Sequence, residues 1–116
     1  MAIVSFDRAQ REFLDLLEVL DDAYWEAASC EDKDRFYNLI SSLQREVQQI
    51  LRLDPDEMDA PYQCLSEDMG RITVALADLE ANLTTRVRRS RTFDDLSRIL
   101  STVVLIVADD ADYEPD

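Results

Sequence analysis

The sequence predicts an all-α protein: a four-helix, mostly antiparallel bundle that ends in a frayed acidic C-terminal tail. Apolar residues recur at steps of three and four in four segments of the chain, which is the spacing of helices with one buried face. The breaks after the first and third segments are short, so consecutive helices should run in opposite directions. Each apolar stripe is narrow, so its burial requires all four helices to pack together. We expect one domain over residues 1–108 and the tail over residues 109–116.

The first predicted helix covers residues 6–28. Its N-terminus can be capped by Ser5 or by Asp7, and Asp7 followed by Gln10 has the spacing of a capping box. Leu17 widens the apolar face that should point to the core. The stripe itself consists of Phe6, Ala9, Phe13, Leu16, Leu20, Tyr24 and Ala27.

The second predicted helix covers residues 32–52 and follows a short interruption at residues 29–32. Ser29 with Asp32 resembles a second N-cap, and the acidic residues at this point favour the positive end of a helix. The apolar face that follows contains Phe36, Leu39, Ile40, Leu43, Val47, Ile50 and Leu51.

Residues 53–61 form a linker, because Pro55 and Pro61 cannot both lie inside a helix. Asp54 can start a single helical turn there, since proline is well tolerated at the first helical position. Beyond the linker we predict a third helix over residues 62–89. Its apolar steps form a seven-residue repeat, which would also suit a helical hairpin that completes its core by dimerising. The repeat contains Tyr62, Leu65, Met69, Ile72, Leu76, Leu79 and Leu83.

The fourth predicted helix covers residues 93–108, after a break in which Thr92 followed by Asp95 resembles a cap. Residues 103–107 are rich in β-branched side chains and could form a strand. A lone strand would have no second strand to pair with, so a helix is favoured. The stripe contains Phe93, Leu96, Leu100, Val103, Val104 and Val107. The tail that follows holds five acidic residues and one proline and should fray.

The charge of the chain limits its partners. Its 116 residues include 26 acidic and 12 basic side chains, for a net charge of −14. Repulsion from phosphates therefore argues against direct binding to nucleic acid or to an anionic membrane surface. The absence of histidine removes the usual general base and zinc ligand, and the single glycine excludes phosphate-cradling loops. We expect no enzyme activity and no cofactor.

Metal binding and targeting signals receive little support from the sequence. Asp54-x-Asp56 opens like a calcium loop, but the sixth position is Asp59 instead of glycine and the twelfth is Leu65 instead of glutamate. No basic start followed by a long apolar run marks a signal peptide. The two cysteines, Cys30 and Cys64, lack metal or redox spacing, and we predict reduced, largely buried thiols in a cytoplasmic protein.

An acidic ridge on the first helix is the first candidate site. It consists of Asp15, Glu18, Asp22 and Glu26, within about 80° of one another on the helix surface, with Asp21 at its border. No basic residue interrupts the sequence between Arg11 and Lys33. Repulsion between like charges destabilises a helix. A run of uncompensated acids therefore has a cost in stability, and their number is greater than solubility requires. It is either a solvated face or a surface that docks a basic partner or copies the charge spacing of a nucleic acid backbone.

Trp25 lies beside the acidic ridge and off the apolar stripe. Such a tryptophan either fills the edge of the bundle or anchors an interface, since tryptophan is enriched in binding hot spots.

An arginine cluster at the end of the third helix is the second candidate site. It contains Arg86, Arg88, Arg89 and Arg91. Basic side chains in a last helical turn stabilise the negative end of the helix, and these can pair with nearby acids. The alternative is an anion site for a phosphate, a nucleotide or an acidic peptide, because guanidinium groups bind oxyanions through paired hydrogen bonds.

Three functions fit these observations. The favoured one is a protein-binding inhibitor, such as an immunity protein, an antitoxin-like neutraliser or a phage-type inhibitor of bacterial or phage origin, that docks on a basic partner protein. The second is an oligomeric adaptor or chaperone with an exposed apolar stripe on helix 3 or helix 4, where Leu105 and Ile106 point away from the stripe. The third is a nucleotide- or phosphoprotein-binding module at the arginine cluster. A monomer or a homodimer is compatible with the first.

Overall fold

The computed structural model describes residues 4–66, 69–87 and 89–111, without the side chains at positions 69 and 108–111. It confirms the all-α class and the bundle. The four long helices are α1 (Phe6–Glu26), α2 (Cys30–Leu51), α3 (Met69–Ala81) and α5 (Ser90–Ala111). A 3-10 turn (Pro55–Glu57) and the one-turn helix α4 (Leu83–Arg86) lie in the connections. No helix in the described residues is long and apolar enough to cross a membrane.

The long helices form a closed ring in the order α1, α2, α3, α5, and each packs against its two neighbours. Glu26 at the end of α1 contacts Thr92 at the start of α5, so these two helices are antiparallel. Arg86, in the turn that follows α3, contacts Asp32 at the start of α2, so α2 and α3 are antiparallel too. The groove between α1 and α5 therefore lies on the opposite side of the bundle from the cleft between α2 and α3.

The core is built from the predicted apolar stripes. Burying a leucine, isoleucine or phenylalanine side chain stabilises the fold by about 1.5–3 kcal/mol, and all four long helices contribute such residues. The largest fully buried apolar side chains are Phe13, Leu16, Leu20, Phe36, Leu43, Ile50, Ile72, Leu76, Leu96, Leu100 and Val103.

Serine caps start the first two helices. The Ser5 side chain accepts a hydrogen bond from the Arg8 amide at 3.2 Å, and the Ser29 side chain accepts one from the Asp32 amide at 3.1 Å. Because Ser29 is the cap, α2 starts at Cys30, two residues before the predicted start. Asp7, the alternative cap of α1, lies inside the helix and pairs with Arg11 at 2.8 Å.

The prediction of one long helix over residues 62–89 is wrong at its start. Tyr62 is not helical, and its amide donates to the Val4 carbonyl at 2.7 Å. The amides of Leu65 and Ser66 donate to the buried carboxylate of Glu46. These bonds satisfy the backbone donors outside a helix, so α3 begins only at Met69 and the first two positions of the seven-residue repeat precede it.

The third helix also breaks near its predicted end. The Asn82 side-chain amide donates to the Asp78 carbonyl at 2.9 Å, where it competes with the helical bond from the Asn82 backbone amide to the same oxygen. The chain continues as α4 and becomes extended at Val87. The result is a 13-residue helix followed by a separate turn.

The linker forms the single turn that Asp54 and Pro55 predict, and its Asp54 amide donates to the Glu57 side chain at 3.2 Å. Farther on, backbone carbonyls of Met58 and Ala60 accept from the first amides of α1, each at 3.0 Å. The linker thus covers the N-terminus of α1.

The last helix begins at Ser90, so the prediction that Thr92 caps it is wrong. Thr92 is buried within the first turn, and its hydroxyl donates to Glu26 at 2.9 Å. The helix continues to Ala111 through the β-branched run, which rules out a strand there. Ile106, predicted to point away from the stripe, is 6% exposed, whereas Leu105 is 65% exposed, because α5 packs against both α1 and α3. The residues after 111 lie outside the described part of the chain.

Candidate functional site

The acidic ridge lies on the surface of α1 away from the core. Asp15, Glu18, Asp21 and Asp22 are all exposed, because the apolar stripe on the opposite side of the helix packs against α2 and α5. None of these four carboxylates forms an ion pair with a residue that the structure describes. Their charge is therefore uncompensated at short range.

Glu26, the last member of the predicted ridge, has a different role. Its Oε2 atom accepts a hydrogen bond from the Thr92 hydroxyl at 2.9 Å and lies 3.4 Å from Nη1 of Arg89. The Glu26 side chain is 27% exposed. These contacts join the end of α1 to the start of α5, so Glu26 is less available to a partner than the four carboxylates before it.

The ridge borders an open groove of about 500 Å³ between α1 and α5. Glu12, Asp15 and Glu18 line it from α1, while α5 contributes Asp95 and Arg98. Arg98 already pairs with Asp95 at 3.5 Å, so the carboxylates of α1 dominate the charge of the groove. Asp95 could not be assigned to this surface from the sequence, because it lies 80 positions after Asp15 and only the packing of α5 on α1 brings them together.

Trp25 is 70% exposed, which argues against its filling the edge of the bundle. Its ring packs edge-on against Tyr24 with centroids 5.3 Å apart. The Lys33 ammonium lies 4.8 Å from the Tyr24 centroid and 5.8 Å from the Trp25 centroid, and it donates to the Tyr24 carbonyl at 2.9 Å. These contacts support an aromatic pair that leaves much of the indole open to a partner.

The structure does not gather the arginine cluster into one anion site. The Arg86 guanidinium lies 3.3 Å from both Asp32 and Asp78, with its side chain 14% exposed. Arg89 points to Glu26, and Arg91 is exposed on the first turn of α5. Arg88 lies outside the described residues. Arg86 and Arg89 line one cleft of about 350 Å³ beside Val87, but each lies against a carboxylate of the protein.

Glu46 is a site that the sequence analysis missed. It is fully buried and accepts hydrogen bonds from the Tyr62 hydroxyl at 2.8 Å, the Leu65 amide at 2.9 Å and the Ser66 amide at 2.7 Å. Burial, followed by the charge of Glu46, raises the pKa of Tyr62, which keeps this hydroxyl a donor. The sequence did contain a signal for this site, because Glu46 is a lone carboxylate beside Val47 on the apolar face of α2.

Metal and thiol chemistry find no organised site in the described residues. No group of three or more histidine, cysteine, aspartate or glutamate side chains is arranged there to hold a metal ion. Neither Cys30 nor Cys64 forms a disulfide in the described structure, and the Cys64 sulfur lies 3.7 Å from the Tyr62 hydroxyl. The prediction that both are largely buried is wrong for Cys30, which is exposed because it occupies the first turn of α2 immediately after its cap.

The fold and the site together define a class: an acidic four-helix bundle whose exposed features are a row of unpaired carboxylates and a neighbouring tryptophan. Comparisons with protein-family models, with curated proteins and with solved structures found no match to this chain. A functional proposal must therefore rest on the geometry of the bundle itself.

Proposed function

We propose that this protein is a binding protein of the inhibitor type, in the manner of an immunity protein, an antitoxin or a phage inhibitor, that docks α1 on a basic surface of a partner protein. One observation carries the proposal. Four exposed carboxylates without ion pairs in the described structure lie beside an indole that is 70% exposed.

Electrostatics favours such a partner. Like charges at helical spacing destabilise α1 by a few tenths of a kcal/mol per pair, and a cationic surface would turn this repulsion into attraction. Opposite potentials also raise association rates toward about 10⁸–10⁹ M⁻¹s⁻¹ at low salt. A protein that must intercept a harmful enzyme early benefits directly from such a rate.

Trp25 supplies the apolar contact that charge alone does not provide. Tryptophan dominates interface hot spots because it buries a large area with few rotatable bonds. Here Trp25 follows Asp21 and Asp22 by four and three positions, which places the indole on the same exposed side of α1. A basic surface with an apolar depression is the shape that fits this arrangement.

The test compares two variants with the same net charge. The ridge variant carries Asp15→Asn, Glu18→Gln and Asp22→Asn. The control variant removes three exposed carboxylates elsewhere, with Asp56→Asn, Asp59→Asn and Glu80→Gln. Both are used, next to the unmodified protein, to capture proteins from the native host, and the captured protein is then purified for rate measurements at several salt concentrations.

The proposal predicts a basic partner whose association rate falls steeply with salt. The ridge variant should associate at least about tenfold more slowly at low salt, while the control variant should change little. Trp25→Ala should mainly raise the dissociation rate, by more than about tenfold for a hot spot. Equal losses in both charge variants would show that net charge alone acts, and unchanged capture by the ridge variant would reject this surface.

The adaptor alternative has weaker support from the exposed side chains. Within the described residues, α3 and α5 each expose one large apolar side chain, Val74 and Leu105. An isolated exposed apolar residue is ordinary on a protein surface. A molecular mass that rises with protein concentration would favour the adaptor over the inhibitor.

A further inference from the structure

The cleft between α2 and α3 has the size of a small-molecule site. Its volume is about 460 Å³, within the range of roughly 300–1,000 Å³ that ligand pockets occupy. Core residues that are at most 5% exposed lie at its bottom, Phe36 and Leu39 from α2 and Ile72 and Leu79 from α3, and Ala75 of α3 is the partly exposed apolar residue that lines it. Asn38, Ser41 and Ser42 add hydrogen-bonding groups along one wall.

The charge of this cleft is opposite to that of the protein. Arg35, Arg45, Arg71 and Arg86 line it, and Asp78 is the one carboxylate among the described residues that does so. These four arginines are a third of the 12 basic side chains in a chain that has 26 acidic ones. A random distribution of charge would have placed more acids than bases here.

The arginines of the cleft are not all committed to carboxylates. Arg86 lies between Asp32 and Asp78, and Arg35 pairs with Glu31 at 3.1 Å. Arg71 is exposed and forms no ion pair with any residue in the described part of the chain.

We propose that the α2–α3 cleft binds a small organic anion, with its oxyanion head on Arg71 and its body inside the cleft against Ala75. A guanidinium group binds a carboxylate or a phosphate through two parallel hydrogen bonds. The volume around Ala75 accommodates an organic body that an inorganic ion lacks. The site lies on the opposite side of the bundle from the acidic ridge, so it can act independently of protein binding.

Calorimetric titration of the full chain tests the proposal with three probes: adenosine monophosphate, decanoate and inorganic phosphate. The first two each combine an oxyanion with an organic body. Comparing their affinities shows whether the cleft prefers a nucleotide or an aliphatic carboxylate. Arg71→Gln removes the proposed anion ligand. Arg91→Gln is the matched control, because Arg91 is also an exposed arginine but lies outside the cleft.

We expect saturable binding of at least one organic probe and much weaker binding of inorganic phosphate. Arg71→Gln should weaken the organic probe about tenfold or more, whereas Arg91→Gln should leave its affinity within about twofold. Ala75→Met, which places a flexible side chain into the cleft, should weaken binding while circular dichroism shows an unchanged helix content. Absence of binding to both organic probes, equal binding of inorganic phosphate, or equal effects of the two arginine variants would overturn the proposal.

Discussion

Removing the Glu46 carboxylate is expected to destabilise the whole bundle and to release the segment that precedes α3. In Glu46→Ala, the Tyr62 hydroxyl and the amides of Leu65 and Ser66 lose their shared acceptor. These three donors connect the middle of α2 to a chain segment that has no helical bonds of its own. The substitution therefore removes the side-chain acceptor that binds the non-helical segment before α3.

The magnitude follows from the burial of the acceptor. A hydrogen bond to a charged group contributes about 1.5–3 kcal/mol, and Glu46 accepts three. The donors are only partly buried, so water can satisfy some of them after the change. The burial of the carboxylate also has a desolvation cost that the variant no longer bears. We expect a net loss of about 3 kcal/mol, which corresponds to a decrease in Tm of roughly 10 °C for a domain of this size.

Urea unfolding followed by circular dichroism gives the free energy of unfolding, and amide hydrogen exchange locates the effect. The amides of Leu65 and Ser66 should exchange much faster in Glu46→Ala than in the unmodified protein, beyond the change that global stability explains. Glu46→Gln retains one acceptor oxygen, so its loss should be about half as large. Glu80→Ala, at an exposed position on α3, is the control and should change stability by less than about 0.5 kcal/mol.

A loss below about 1 kcal/mol in Glu46→Ala, together with unchanged exchange at Leu65 and Ser66, would refute this account. The start of α3 would then have to be fixed by the packing of Tyr62 against Phe6 and Phe13, whose ring centroids lie 5.5 and 5.4 Å from its own.

Three further predictions concern pH, capping and the core. The pKa of Tyr62 is raised by burial and by Glu46, so above about pH 10 the unfolded chain loses this proton before the folded one, and stability should fall by up to about 1.4 kcal/mol per pH unit. Tyr62→Phe should remove that part of the slope in urea titrations repeated at alkaline pH. Ser29→Ala should lower the free energy of unfolding by about 1 kcal/mol through loss of the α2 cap, and an unchanged urea midpoint would contradict the cap. Ile106→Asp should unfold the protein, while Leu105→Asp should leave Tm within about 2 °C; the opposite order would mean that α5 is rotated.

The all-α class and the bounds of the first two helices could be predicted because they depend on local patterns, whereas the third helix proved shorter at both ends and was followed by the separate turn α4. Helical spacing placed α1 and α2 within two residues of their observed ends. Residue type and position identified Ser29 as a cap and left Ser5 and Asp7 as alternatives, of which the structure has Ser5. The seven-residue repeat wrongly predicted that Tyr62 is helical. The repeat depends only on which residues are apolar, whereas the backbone conformation also depends on the hydrogen-bond partners that the segment finds. Val4 and Glu46 provide those partners, and they lie 58 and 16 positions away.

The candidate site was predictable to a similar extent. The exposure of Asp15, Glu18, Asp21 and Asp22 follows from their position opposite the apolar stripe of a single helix. Glu26 could not be separated from them in this way, because its partners Thr92 and Arg89 are more than 60 positions away. The position of Asp95 in the groove could not be predicted for a similar reason, because Asp95 lies 80 positions after Asp15.

The sequence by itself determined the class of structure, the negative face of α1 and the position of Trp25, because the helical repeat of 3.6 residues fixes which side chains share a face. Tertiary structure alone decided that Glu46 would hold the segment before α3, that Arg86 would turn toward Asp32 and Asp78, and that Arg71 would line the cleft between α2 and α3. Each of these outcomes depends on donors, acceptors and charges from different helices, and only the packing of those helices brings them within hydrogen-bonding distance.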